Sequence, residues 1–181
     1  MMKARNHESP VTTKPTGMVR YLKVKSPLGE LLLVSDGEAL TGLYFAGRNH
    51  VPARRGWVLS TAHPVLRRAA KQLEEYFKGR RTTFSLPLRL SGTEFQKRVW
   101  DQIARVPYGQ TISYTDLASR AGAPAAVRAA GTTTGRNPVS IIIPCHRIVG
   151  KTGSMCGFAG GLDKKRILLD HEASNASAMG S

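Results

Sequence analysis

Ile141-Ile142-Ile143-Pro144-Cys145-His146-Arg147-Ile148-Val149-Gly150 runs from an apolar stretch into a thiol with a histidine directly after it. The three isoleucines predict a short buried strand, Pro144 sets the backbone's exit from it, and Gly150 to Gly153 supplies a turn. Cys145 is thereby expected at the rigid edge of a core. A thiol fixed beside a base is a nucleophile. The alternative is a structural cysteine, since free cysteine is among the most buried residue types and usually inert. The pair alone leaves both readings open, because neighbours on a strand point to opposite faces and Cys145 need not touch His146.

Working back from this stretch, the pattern is helical. Thr93-Glu94-Phe95-Gln96 is a capping box, and Phe95, Val99, Trp100 and Ile103 form an apolar stripe that Val106-Pro107-Tyr108-Gly109 stops. Ser113 caps a second helix with Asp116 three residues on. Leu117, Ala118 and Ala121 face inward, and Gly122 closes it. Pro124 is expected in the first turn of a third helix, about Ala125 to Thr134. Two short helices across Gly122-Ala123 have helix-turn-helix spacing, the third being the reader. Ala125, Ala126, Ala129, Ala130 and Gly131 leave that helix almost bare except for Val127 and Arg128. It is built either for tight packing inside the protein or for close approach to DNA with Arg128 protruding. Arg136-Asn137-Pro138 then leads into the apolar run.

The first half reads differently. Tyr21 to Val24, Leu31 to Ser35 and Leu40 to Phe45, separated by turns at Ser26 to Glu30 and Asp36-Gly37, predict an antiparallel meander. His63-Pro64 opens a helix with Val65, Leu66, Ala69, Leu73, Tyr76 and Phe77 on one face and Gly79 at its end. Arg67, Arg68, Lys71 and Lys78 fall on the opposite side, as a solvated face or as phosphate contacts. Phe84 to Leu90 is a further strand or a linker. The expected organisation is a disordered leader over 1–18, an α/β domain over 19–90, a mainly helical domain over 91–173 and a flexible tail over 174–181.

Composition bounds the partners. The 181 residues are 41% hydrophobic and 7% aromatic, ordinary for a globular chain. Two cysteines, Cys145 and Cys156, with no Cys/His cluster of metal spacing, argue against a disulfide framework or structural zinc and for a reducing, intracellular (cytoplasmic) setting. No apolar h-region opens the chain, and no stretch approaches a membrane span. With 27 Lys and Arg against 12 Asp and Glu, the net charge is +15. A polyanion is the natural partner, nucleic acid before membrane. Residues 1–90 hold 16 basic and 6 acidic side chains and residues 91–181 hold 11 and 6. The half with the thiol is thus the less basic one, and the charge reads as general attraction to a phosphate backbone.

Gly131, Asn137-Pro138, Ile141 through Arg147, Gly153, Gly157-Phe158-Ala159-Gly160-Gly161 and Lys164 to Leu169 together resemble the O6-alkylguanine-DNA alkyltransferases. Pro144-Cys145-His146-Arg147 is a highly specific signature in that setting. The likeness extends upstream through Phe95-Gln96, Pro107-Tyr108-Gly109 and Tyr114 to Arg128, strongly over about Thr93 to Glu172 and more loosely before it. The resemblance implies a ribonuclease H-like α/β N-terminal domain and a helical C-terminal domain with a helix-turn-helix. It implies irreversible transfer of an alkyl group from O6 of guanine, and in some relatives O4 of thymine, to the protein's own cysteine, once per molecule. The partner is double-stranded DNA containing O6-alkylguanine, with no cofactor, metal, membrane or obligate protein partner.

The resemblance also implies residue roles. Cys145 accepts the alkyl group, His146 activates it through a bridging water, Glu172 orients the imidazole, Asn137 holds the turn and Tyr114 serves N3 of the flipped base. Arg128 fills the gap in the stack, and Ala129, Gly131, Thr134 and Arg136 lie with it against DNA in the minor groove. Tyr114, Val149, Phe158, Ala159 and Gly160 form the pocket. Phe158 stands where many relatives have tyrosine, and Thr132-Thr133-Thr134 replaces a stretch often rich in Ala or Gly. Cys156 reads as a small apolar filler, not a second acceptor. Two other readings compete: a binding protein that only flags lesions, against which Cys145 and His146 argue, and a basic DNA-binding regulator whose thiol senses alkylators. A cysteine hydrolase is least supported, as nothing suggests an oxyanion hole.

Overall fold

The computed structural model describes residues 17–47 and 51–179. The expected leader lies outside the described residues except for Gly17 and Met18.

Short apolar runs separated by turn residues fold the first half into a small mixed sheet. β1 (Arg20–Ser26), β2 (Gly29–Ser35) and β3 (Leu40–Phe45) make the expected meander, with Leu22 opposite Leu33 and Leu33 opposite Leu43. A two-residue strand that the periodicity did not reveal, β4 (Val58–Leu59), pairs parallel with β1, so the order is β3-β2-β1-β4. Helix α1 (Pro64–Phe77) packs on the sheet and buries Leu66, Ala69, Leu73 and Tyr76 in the core. Val65 and Phe77 are only half-buried, while Gln72 is buried in their stead. Its amide explains this, as Nε2 donates to Ser85 O at 3.0 Å and Oε1 accepts from Ser85 N at 2.8 Å. That clamp holds Phe84 to Leu90 as a linker, which pairs with the sheet at a bridge between Leu88 and Leu40.

The second half is helical. α2 (Glu94–Ala104) begins on the full Thr93/Gln96 capping box and buries Val99, Trp100 and Ile103. The short strand β5 (Ile112–Ser113) leads into α3 (Tyr114–Arg120), whose Ser113/Asp116 capping box is also complete. α4 is Val127–Gly135, starting later than expected. Pro124 is not in its first turn but in a separate turn closed by Ala126 N donating to Ala123 O at 2.8 Å. α3, that turn and α4 make the helix-turn-helix.

The isoleucine run is not a strand. Ile141 has φ 71, a left-handed conformation in which a β-branched residue is strained, and the backbone turns there. Only isolated bridges remain, Val139 with Leu43 and Ser140 with Ile143. The reason is pairing geometry: β3 takes Pro138 to Ser140 as its neighbour, with Leu43 N donating to Pro138 O at 2.8 Å and Ser140 N to Leu43 O at 3.2 Å. The chain must then double back to bury Ile141 and Ile143 beneath it. Cys145–Arg147 forms one 3-10 turn, followed by β6 (Ile148–Val149), which pairs parallel with β5. The last helix, α5 (Leu162–Met179), runs through residues 174–179, which were expected to be a flexible tail. Asn175 donates to His171 O and Ser177 to Ala173 O, so side chains reinforce the last turns.

Candidate active site

Asn137, just past α4, is buried and spans the turn before the thiol: its Oδ1 accepts from Val139 N at 3.0 Å and its Nδ2 donates to Ile143 O at 2.7 Å. These bonds clamp both ends of the turn that carries the strained Ile141, at a cost of about 1 to 3 kcal/mol that the packed surroundings offset. Cys145 follows directly, buried, with its amide bonded to Ile143 O at 2.8 Å. Burial pushes the Cys145 thiol up, while Asn137, the Lys165 ammonium and Ser140 pull the other way.

His146 and Glu172 meet in the fully buried core beside it. Glu172 lies on α5, and among the described residues its carboxylate accepts five hydrogen bonds. Oε1 accepts from His146 Nε2 at 2.8 Å, Tyr76 Oη at 2.7 Å and Arg147 Nη2 at 2.9 Å. Oε2 accepts from Arg147 Nε at 2.8 Å and Gly109 N at 3.1 Å. Burial alone would raise this carboxyl, but the bonds from His146 and Arg147 hold it well below the usual carboxylate range. An ionised Glu172 makes Nε2 the donor and leaves the lone pair of a neutral imidazole on Nδ1. That atom is buried without a hydrogen-bond partner in the protein. Burial also pushes the His146 pKa down, against the opposing pull of Glu172. The arrangement can therefore take a proton at Nδ1.

The residues expected to form the pocket come from other elements. Tyr114, the first residue of α3, donates its hydroxyl to Cys156 O at 3.1 Å, and burial raises its pKa to about 12. Val149 is buried on β6; Phe158 and Ala159 are half-buried and Gly160 is buried on the loop before α5. A Cβ on Gly160 would fall 2.8 Å from the Phe45 ring, so the loop approaches β3 as only glycine permits. Phe158 packs edge-on against Phe45 with centroids 5.6 Å apart. Cys156 is exposed and not a filler; its backbone carbonyl is the part that matters, since it also accepts from Lys165 Nζ at 2.9 Å.

On α4, Arg128, Ala129 and the following Thr132 face outward, Gly131 is half-buried against the Tyr114 ring, and Arg136 is exposed at the helix end. Ala130, Thr133 and Thr134 pack inward. The helix is thus tightly packed on one face and bare on the other. Thr134 corrects an expectation: it is buried, and its hydroxyl donates to Ala130 O at 2.8 Å, leaving it nothing to offer a groove.

Four contributors were missed by sequence reasoning. Arg147 stood in the quoted signature without a role, yet it supplies two of the bonds to Glu172 and a third to Val106 O. Lys165 is fully buried, its Nζ donating to Ile148 O at 2.6 Å. Its spacing of seven residues from Glu172, with the buried Leu168 between, marked an inward helix face. Gly109 has φ 73, and a Cβ there would lie 2.9 Å from that of Ala176, so glycine lets this loop reach Glu172. Tyr76 comes from α1 in the other half of the chain, and no local pattern connects it to the site.

Residues 19–90 match the family described as 6-O-methylguanine DNA methyltransferase, ribonuclease-like domain, and residues 94–174 match its DNA binding domain. A methylated-DNA–protein-cysteine methyltransferase of Mycobacterium bovis is 43% identical over 162 residues, covering 89% of this chain and 96% of that protein. The crystal structure of an O6-methylguanine methyltransferase of Mycobacterium tuberculosis superposes with a TM-score of 0.82 at 42% identity, over 87% of this chain and 94% of that one. The M. tuberculosis protein OGT in complex with DNA superposes at 0.81 with 40% identity, over 86% and 94%.

Proposed function

The chain belongs to the O6-methylguanine DNA methyltransferase family, and from that premise we propose how its residues divide the work of alkyl transfer. It is a DNA repair protein, a methylated-DNA–protein-cysteine methyltransferase that acts directly on alkylated double-stranded DNA. Cys145 is the acceptor. Its proton passes through a bridging water to Nδ1 of His146, and the imidazolium so formed is stabilised by Glu172. The Sγ–C bond forms as the C–O6 bond breaks, and the electron pair moves into the guanine ring. Tyr114 gives its phenolic proton to N3 of the leaving base, exchanging Cys156 O for that acceptor. The raised pKa of Tyr114 keeps the phenol protonated until charge develops on the ring.

The observation that carries this reading is the buried His146–Glu172 pair, with the acceptor nitrogen of the imidazole left open beside a buried thiol. A relay through water suits adjacent residues of a 3-10 turn, whose side chains diverge. Lys165 adds a buried positive charge that favours the thiolate. On the DNA side, the outward face of α4 enters the minor groove, Arg128 fills the space vacated by the flipped nucleotide, and Ala129, Gly131 and Arg136 line the contact. Tyr114, Val149, Phe158, Ala159 and Gly160 receive the base. The two functional units are residues 19–90 and 91–173. No helix among the described residues is long and apolar enough to cross a membrane, and an intracellular location fits a protein whose reaction needs a free thiol.

The test is to incubate the protein with a duplex carrying O6-methylguanine and to locate the methyl group by peptide mass spectrometry. It is expected on the peptide holding Cys145, in one equivalent. Cys145→Ser should transfer nothing while binding DNA nearly as well, and Cys156→Ser should transfer normally. A methyl group found elsewhere overturns the assignment.

A further inference from the structure

Oε1 of Glu172 is crowded. Besides His146 Nε2 and Arg147 Nη2, it accepts from Tyr76, a fully buried residue near the end of α1. Each donor to a carboxylate oxygen draws off part of its charge, and a carboxylate offers about four lone-pair sites for all its partners. Tyr76 and His146 therefore compete for one atom. The carboxylate itself does not depend on Tyr76 for its place, because Arg147 grips both oxygens and Gly109 N holds the second.

We propose that Tyr76 is a positioning residue for alkyl transfer: from the N-terminal half of the chain, its phenol shares the carboxylate oxygen that holds His146 and so limits how strongly Glu172 draws a proton onto the imidazole. The inference rests on the reading of His146 as the base for Cys145. Its chemical logic is that a base must be neutral to accept. A buried histidine facing an undiluted carboxylate would tend to be charged already, with no lone pair left for the thiol proton. The charged and titratable groups around the ring and its carboxylate partner are Arg147 on its own turn, Glu172 and Lys165 from α5, Tyr76 from α1, Tyr108 from the loop after α2, and Cys145. Of these, Arg147 and Lys165 disfavour the imidazolium by charge, and Tyr76 disfavours it by occupying Oε1. Tyr76 is itself held by rings, with Tyr108, Phe77, Phe84 and His171 centroids 5.2 to 6.0 Å away, so its hydroxyl is aimed by packing and not by a flexible side chain.

Tyr76→Phe removes only the hydroxyl. In the full-length protein, the titration of His146, followed by 15N NMR of histidine-labelled protein without DNA, should move to higher pH by roughly one unit. The acid limb of the single-turnover rate on an O6-methylguanine duplex should move the same way, and the plateau at higher pH should not fall. Tyr108→Phe, which deletes a neighbouring buried hydroxyl not bonded to Glu172, should leave both where they are. Should Tyr76→Phe fold poorly, site-specific 3-fluorotyrosine at position 76, a stronger donor of similar shape, should move the His146 titration downward. An unmoved titration in the folded variant, or a rate lowered by the same factor at every pH, overturns the proposal and leaves Tyr76 a packing residue. Failure of the wild-type protein to methylate Cys145 would instead overturn the acceptor assignment, and the NMR titration would still decide the role of Tyr76.

Discussion

Replacing Glu172 by Gln keeps the shape of the side chain but puts an amide donor where one of two acceptor oxygens stood. At least one of the five hydrogen bonds must then break, and the buried Arg147 guanidinium loses its counter-charge. Stranding a buried charge typically costs about 3 to 5 kcal/mol, so Glu172→Gln should lower the urea midpoint of unfolding markedly. It should also slow alkyl transfer, because His146 loses both orientation and basicity, and the slowing should shrink at high pH where thiolate forms without help. His146 replacement should slow transfer more while costing less stability. If Glu172→Gln is slow at all pH values by one factor, the carboxylate serves structure alone.

At the scale of elements, α4 shows how one short helix serves two surfaces. Ala130, Thr133 and Thr134 pack inward, where Trp100 Nε1 donates to Thr133 O at 3.0 Å, while Arg128 stands on the bare outward face. If Arg128 only neutralised a phosphate, Arg128→Ala would weaken DNA binding uniformly and lower the salt slope by about one contact. If it fills the vacated stack, repair of a paired lesion should slow by on the order of tenfold or more, since unstacking costs a few kcal/mol, and repair of a single-stranded lesion should slow much less. Single-turnover rates on the two substrates decide between these. Equal losses on both would remove the gap-filling role.

Across the whole molecule, acid should be the weak side. His146 has its pKa pushed below the unfolded value of 6.5 by burial, and Glu172 is held below its unfolded 4.5 despite burial by its bonds to His146 and Arg147. In both cases the unfolded chain binds more protons than the folded one. The stability these groups contribute is therefore full at neutral pH and is lost as pH falls, first below 6.5 and then more steeply below 4.5. A carboxylate so placed contributes about 2 to 3 kcal/mol. The chain already carries a net charge of +15, so each proton gained adds to self-repulsion. Denaturation in urea should show a loss of this order as the pH falls from about 5 to about 2, much reduced in Glu172→Gln. A stability that is flat over that range would contradict the ionised, buried pair.

What the sequence determined by itself was what local chemistry decides. Capping boxes at Thr93 and Ser113 set helix starts because their side chains satisfy amides three residues on, and short apolar runs bounded by turn residues set β1 to β3. The Pro144-Cys145-His146-Arg147 signature marked the thiol proposed as acceptor and its neighbour. Only the tertiary structure decided the rest. The isoleucine run turns at Ile141 because β3 claims Pro138 to Ser140, a pairing between residues nearly a hundred positions apart. Thr134 turns inward because it follows the buried Ala130 by four residues on one face of α4, and only packing decided that this face and not the one with Arg128 is covered. Tyr76, Gly109 and Arg147 converge from α1, a loop and a 3-10 turn on the carboxylate that Glu172 brings from α5, and no spacing along the chain encodes that meeting. Hydrogen bonds within a turn of helix are written in neighbouring residues; those that make a buried charge bearable depend on which distant elements packing brings together.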